Sequence, residues 1–102
     1  QVEYYKKAIE QGYFLSEFNL GECYYNGDGV EQDLTLAAKW YEKAAERGHK
    51  FAQNSIGKCY YYGKGVEEDN EKAVYWYKKA AEMGGGVSEE LNDKIQSGKL
   101  SD

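Results

Sequence analysis

The chain has 102 residues, room for one domain with a modest core. Its net charge of −5 argues against nucleic acid and anionic membrane surfaces as partners and mildly favours a basic or neutral one. No run of about 18 apolar residues is present to span a bilayer as a helix, and the opening Gln1-Val2-Glu3-Tyr4-Tyr5 is not a secretory leader.

The first predicted element is a helix from Val2 to Gln11, closed by Gly12. Its Tyr5-Lys6-Lys7-Ala8 parallels Tyr41-Glu42-Lys43-Ala44 further on, so residues 1–12 read as the second helix of a truncated repeat. Opening inside a repeat and without Met, the sequence is expected to be part of a longer chain.

A second helix is predicted over residues 16–25, where Leu20 and Tyr24 lie four apart. Gly21 inside it costs about 1 kcal/mol relative to Ala, which implies close approach by another helix. Asn26-Gly27-Asp28-Gly29 ends the helix, glycine supplying positive φ. Val30 is expected to pin this turn onto the core, and Asp33 to cap the next helix. That third helix runs over 34–47, with Ala37, Trp40, Tyr41, Ala44 and Ala45 on one wide apolar face. Lys39, Glu42, Lys43 and Glu46 line the solvated side, and Gly48 stops the helix.

Residues 49–84 then repeat 13–48. Gly57, Cys59, Gly63, Gly65, Asp69, Trp76 and Gly84 each stand 36 residues after an identical residue. About half of the aligned positions are identical, and a period in this range signals stacked helical units that cannot bury their apolar faces alone. After Gly84-Gly85-Gly86, a more polar helix is predicted over 85–98 as a terminal cap, with a tail at 99–102. The expected count is about six helices in antiparallel order, an all-α chain; the absence of Pro leaves them uninterrupted.

Catalytic chemistry finds little support. The G-x-G pairs follow a helix rather than a strand, so they read as turns, not phosphate loops. His49, the single histidine, reads as a solvated turn residue, and with two distant cysteines it makes no zinc set. Glu67, Glu68 and Asp69 precede a helix, where negative charge is stabilising. Cys23 and Cys59 occupy equivalent places in stacked units, too far apart for a disulfide. Neither a catalytic residue, nor a metal site, nor a cofactor is assigned, and the chain is read as no enzyme.

The string Leu20-Gly21-Glu22-Cys23-Tyr24-Tyr25-Asn26-Gly27-Asp28-Gly29-Val30, followed by Asp33, Ala37, Trp40-Tyr41, Lys43-Ala44-Ala45-Glu46 and Gly48, resembles the Sel-one-like repeat family. The second copy runs from Ile56-Gly57 to Gly84, and the closing helix departs from the pattern. The resemblance implies a tetratricopeptide-like α/α right-handed superhelical solenoid of antiparallel helix pairs. It also implies an adaptor or scaffold that binds another protein or peptide. Cysteine-rich relatives linked to penicillin binding carry two cysteines per repeat, and this chain has one.

In such arrays the first helix of each unit lines the concave face. The resemblance places Phe18, Glu22 and Tyr25 of one copy, and Asn54, Lys58 and Tyr61 of the next, along that groove. Phe18 against Asn54, and Glu22 against Lys58, are where the copies differ most in chemistry, as recognition residues do. The tyrosines are expected to stack along the groove, since Tyr is favoured at interfaces. The alternative is a structural spacer, or a segment that self-associates through exposed repeat ends.

Overall fold

The computed structural model describes residues 1–82. These form five helices and no strand: α1 (Val2–Glu10), α2 (Leu15–Asn26), α3 (Leu34–Glu46), α4 (Lys50–Tyr62) and α5 (Asn70–Glu82). The all-α expectation holds. The sixth helix, predicted over 85–98, and the tail at 99–102 lie outside the described residues.

Each turn is built twice from the same parts. Gly27 and Gly63 take left-handed conformations, with φ of 74° and 68°, and their N–H groups return to the Cys23 and Cys59 carbonyls. An L-residue with a Cβ is disfavoured there. The Asp33 N–H then donates to Tyr24 O and the Asp69 N–H to Tyr60 O, both at 2.9 Å, folding the loop back on the helix it leaves. The carboxylate of Asp33 accepts from the Leu36 N–H at 3.0 Å and that of Asp69 from the Lys72 N–H at 3.1 Å. Both are the predicted N-caps.

Each helix packs chiefly on its neighbours in sequence. The short turns at 11–14, 27–33, 47–49 and 63–69 reverse the chain each time. Glycine admits one aromatic ring per repeat. A Cβ on Gly21 would stand 2.9 Å from the Tyr41 ring, and one on Gly57 3.1 Å from the Tyr77 ring. The close approach inferred for these helical glycines is therefore real, and the approaching groups are the rings of α3 and α5. Tyr41, Ile56, Cys59, Trp76 and Tyr77 join the helix alanines in the main core, while Val2, Leu20 and Cys23 form a smaller one. Val30 and Val66 pack against these clusters, as expected of turn pins.

His49 departs from its expectation. It is half-buried and caps α4, its Nδ1 accepting from the Ala52 N–H at 3.2 Å. Its ring stacks on Phe18, with centroids 4.6 Å apart. The short connection after α3 leaves no Ser, Asp or Asn there, so the imidazole takes the capping role.

Candidate functional site

The six residues proposed for recognition lie on matching stripes, spaced i, i+4, i+7 on α2 and α4. Phe18 is half-buried: its ring meets Tyr41 at 5.8 Å and bridges to the next repeat through His49. Tyr25 meets Tyr41 at 6.1 Å, and Tyr61 meets Tyr62 edge to face at 4.6 Å. Each tyrosine thus pairs within its own repeat, packed against the core and partly exposed, rather than stacking on the other. Asn54 is half-buried, and Lys58 is exposed.

Glu22 is engaged within the fold. It accepts from the Asn26 Nδ2 at 3.4 Å and lies against the Tyr41 hydroxyl. Burial, with the charge and hydrogen bonding of Glu22, pushes the Tyr41 hydroxyl well above the usual phenol range. In the second repeat Lys58 stands at that place, and the equivalent Tyr77 hydroxyl is buried without a hydrogen-bond partner. Burial raises the Tyr77 hydroxyl too. The Glu22-to-Lys58 contrast, read as a recognition feature, thus also has a cost inside the repeat: a phenol that has lost its acceptor.

The turn between α3 and α4 carries a feature the sequence reading passed over. Glu17, 2 % exposed, holds Arg47 by a 2.8 Å contact from Nε to Oε1. The same guanidinium lies 3.5 Å from the centroid of the Phe14 ring. An open groove of about 730 Å³ runs beside it, with Phe14, Leu15, Arg47 and His49 in its wall. A signal was present in the repeat alignment, where Glu17 and Arg47 change together to Gln53 and Met83.

Reactive chemistry is sparse. Burial pushes the Cys59 thiol up to about 11 and raises Cys23 as well, so neither is a ready thiolate. Burial and the neighbouring Glu42, which accepts from its hydroxyl at 3.3 Å, push Tyr60 up to about 12. Among the described residues no cluster of three or more His, Cys, Asp or Glu is placed to hold a metal ion, and no helix is long and apolar enough to cross a membrane.

Solved structures resemble this arrangement, three of them as follows. One is c5321, a protective antigen present in uropathogenic Escherichia coli strains and displaying an SLR fold. It is 44 % identical with a TM-score of 0.78, the match covering 80 % of this chain and 18 % of that one. A Sel1 repeat protein from Oxalobacter formigenes is 33 % identical with a TM-score of 0.77, over 82 % of this chain and 34 % of that one. Cysteine-rich protein B of Helicobacter pylori is 34 % identical with a TM-score of 0.76, over 87 % of this chain and 65 % of that one. The chain therefore spans from under a fifth to just under two thirds of the length of these structures. No curated protein matches it. The Sel1 repeat model matches residues 2–13, 15–49 and 50–85, most of the length, in a family whose repeats typically mediate protein interactions and are generally scaffolds rather than enzymes. With two glycine-locked helix pairs built alike and a family match running through both, this chain belongs to the Sel1 repeat family.

Proposed function

We propose that this segment is a non-catalytic docking module that seats a peptide or helix of another protein along the concave face formed by α2 and α4. Phe18, Tyr25 and Tyr61 present partly exposed rings there, and Lys58 provides an exposed charge that orients the ligand. Asn54 and Glu22 lie on the same stripes, Glu22 acting mainly by holding Tyr41 in place. The observation that carries the reading is the pair of half-buried tyrosines, Tyr25 and Tyr61, kept at equivalent positions beside residues that differ between the repeats.

The test is a pull-down comparing the wild-type chain with a Tyr25→Ala/Tyr61→Ala/Lys58→Glu variant of matched circular dichroism. A partner retained by wild type and lost by the variant supports the groove. One held equally by both overturns the assignment.

Self-association is a second reading, favoured by the large apolar side chains left in solvent, Tyr4 at 70 % and Leu15 at 72 % exposed among them. Light scattering in the millimolar range checks it: growth in mass with concentration supports it, and a persistent monomer removes it.

A further inference from the structure

Two adjacent dipeptides in the turn after α2 carry related chemistry. In Asn26-Gly27 and in Asp28-Gly29, the glycine nitrogen stands where it can close a five-membered ring on the side chain before it. They are the chain's only Asn-Gly and Asp-Gly pairs. Glycine favours such closure, since no Cβ crowds its nitrogen. In an open chain at neutral pH the asparagine reacts first. Its amide is neutral, whereas an aspartate, with an ordinary pKa of about 3.9, is ionised and has to be protonated before it can lose water.

The fold reverses that order. Asn26 is the last residue of α2. The Gly27 N–H that would attack it donates to the Cys23 carbonyl at 2.8 Å, and the amide that would leave donates from Nδ2 to Glu22 Oε1 at 3.4 Å. Closure there has to break the cap that ends the helix. Asp28 and Gly29 stand outside the helix, and both are exposed. The Asp28 N–H returns to Cys23 O at 2.9 Å, which holds the residue without engaging the atoms that react. Among the described residues the Gly29 N–H finds no acceptor and the Asp28 carboxylate no donor. Even a Cβ on Gly29 would meet only Val2, at 4.0 Å, so space for a ring is open. The second repeat has Tyr62 and Lys64 at the aligned positions, which offer no carbonyl for attack.

We propose that Asp28 is a site of spontaneous isomerisation in the folded chain, through a succinimide, while Asn26 is shielded from the parallel deamidation. The Gly29 nitrogen attacks Cγ of Asp28 in its protonated form. A bond forms between them, and the carboxyl hydroxyl departs with the nitrogen's hydrogen as water. A water molecule then opens the ring. Cleavage between the nitrogen and Cγ restores aspartate. Cleavage between the nitrogen and the Asp28 main-chain carbonyl carbon leaves isoaspartate, with the chain running through Cγ. The product has one more carbon in its main chain just ahead of Val30, which packs against Val2, Leu20 and Cys23. The longer turn loosens that contact. The reaction engages no residue of the docking face.

The test is peptide mapping by mass spectrometry, with electron-transfer fragmentation to tell isoaspartate from aspartate. The folded chain is incubated for weeks at about pH 7, where aspartate is ionised, beside the same chain unfolded in urea. In the folded chain, isoaspartate at 28 should outrun deamidation at 26 by at least about threefold, since closure at Gly27 waits on local opening. In urea Asn26 should react first. Asp28→Glu, which would have to close a six-membered ring, should form no such product. The isoaspartate form, separated by ion exchange, should melt about 4 °C below the unaged chain. The proposal is overturned by deamidation at 26 that matches isomerisation at 28 in the folded chain. Isoaspartate forming no faster at 28 than at Asp33 or Asp69, or an isoaspartate form that melts with its parent, overturns it equally.

Discussion

Arg47 shows how much one side chain can decide. Its partner Glu17 is buried, so removing the guanidinium strands a carboxylate in the interior, whereas neutralising both leaves nothing unpaired. Arg47→Met should destabilise the chain by about 3 kcal/mol, near the low end for a broken buried pair, because about half of the arginine side chain is already in solvent. Adding Glu17→Gln recreates the combination found at 53 and 83 and should recover most of that loss. Urea unfolding of the two single variants and the double variant checks this; additive losses would refute the coupling. Gly57 makes the complementary case. Leu there must displace the Tyr77 ring, which a Cβ alone would meet at 3.1 Å. Gly57→Leu should cost about 2 kcal/mol after its helix-propensity gain, while exposed Lys58→Ala stays within about 0.5 kcal/mol. Equal melting temperatures would contradict the close packing.

At the level of the element, the helices start by different chemistries. Asp33 caps α3 with a carboxylate, but α4 relies on the neutral Nδ1 of His49. Desolvation by the packed surroundings lowers the His49 pKa from its ordinary 6.5. The unfolded chain therefore binds this proton more readily than the folded one, and the stability linked to it is lost as pH falls below 6.5 and through the lower folded value. Protonation also removes the acceptor and places a cation at a helix N-terminus. Wild-type melting temperature should drop between about pH 7 and about pH 5, and the drop should shrink in His49→Ser, which retains a capping oxygen without titrating. Thermal melts of both proteins at the two pH values decide it; identical drops would place the titration elsewhere.

At the level of the molecule, stability comes from contacts between successive units, so equal residues need not have equal weight. Gly29 and Gly65 both have φ of +77°. A Cβ on Gly29 would have only Val2 near it, at 4.0 Å, whereas one on Gly65 would run into the Leu34 carbonyl at the start of α3. Gly29→Ala should cost about 1 kcal/mol, the left-handed backbone penalty. Gly65→Ala should cost at least about 2 kcal/mol more, since a backbone carbonyl cannot swing aside. Melting temperatures of the two variants check this, and equal losses would mean the repeats do not lock together at Leu34.

The same pair separates what was legible in the sequence from what was not. The 36-residue period, the glycines that must adopt positive φ, the aspartate caps and the helix-embedded Gly21 and Gly57 are consequences of local geometry, so residue type and spacing were enough to read them. The stripe of Phe18, Glu22, Tyr25, Asn54, Lys58 and Tyr61 was legible as a helix face, because helical spacing determines which residues share one. What each of these side chains touches was not. The stacking of His49 on Phe18, the hold of Glu17 on Arg47 and the Tyr41 hydroxyl beside Glu22 all join residues far apart in the sequence. Such contacts depend on how the units stack, and only the tertiary structure brings their atoms within a few ångströms of one another.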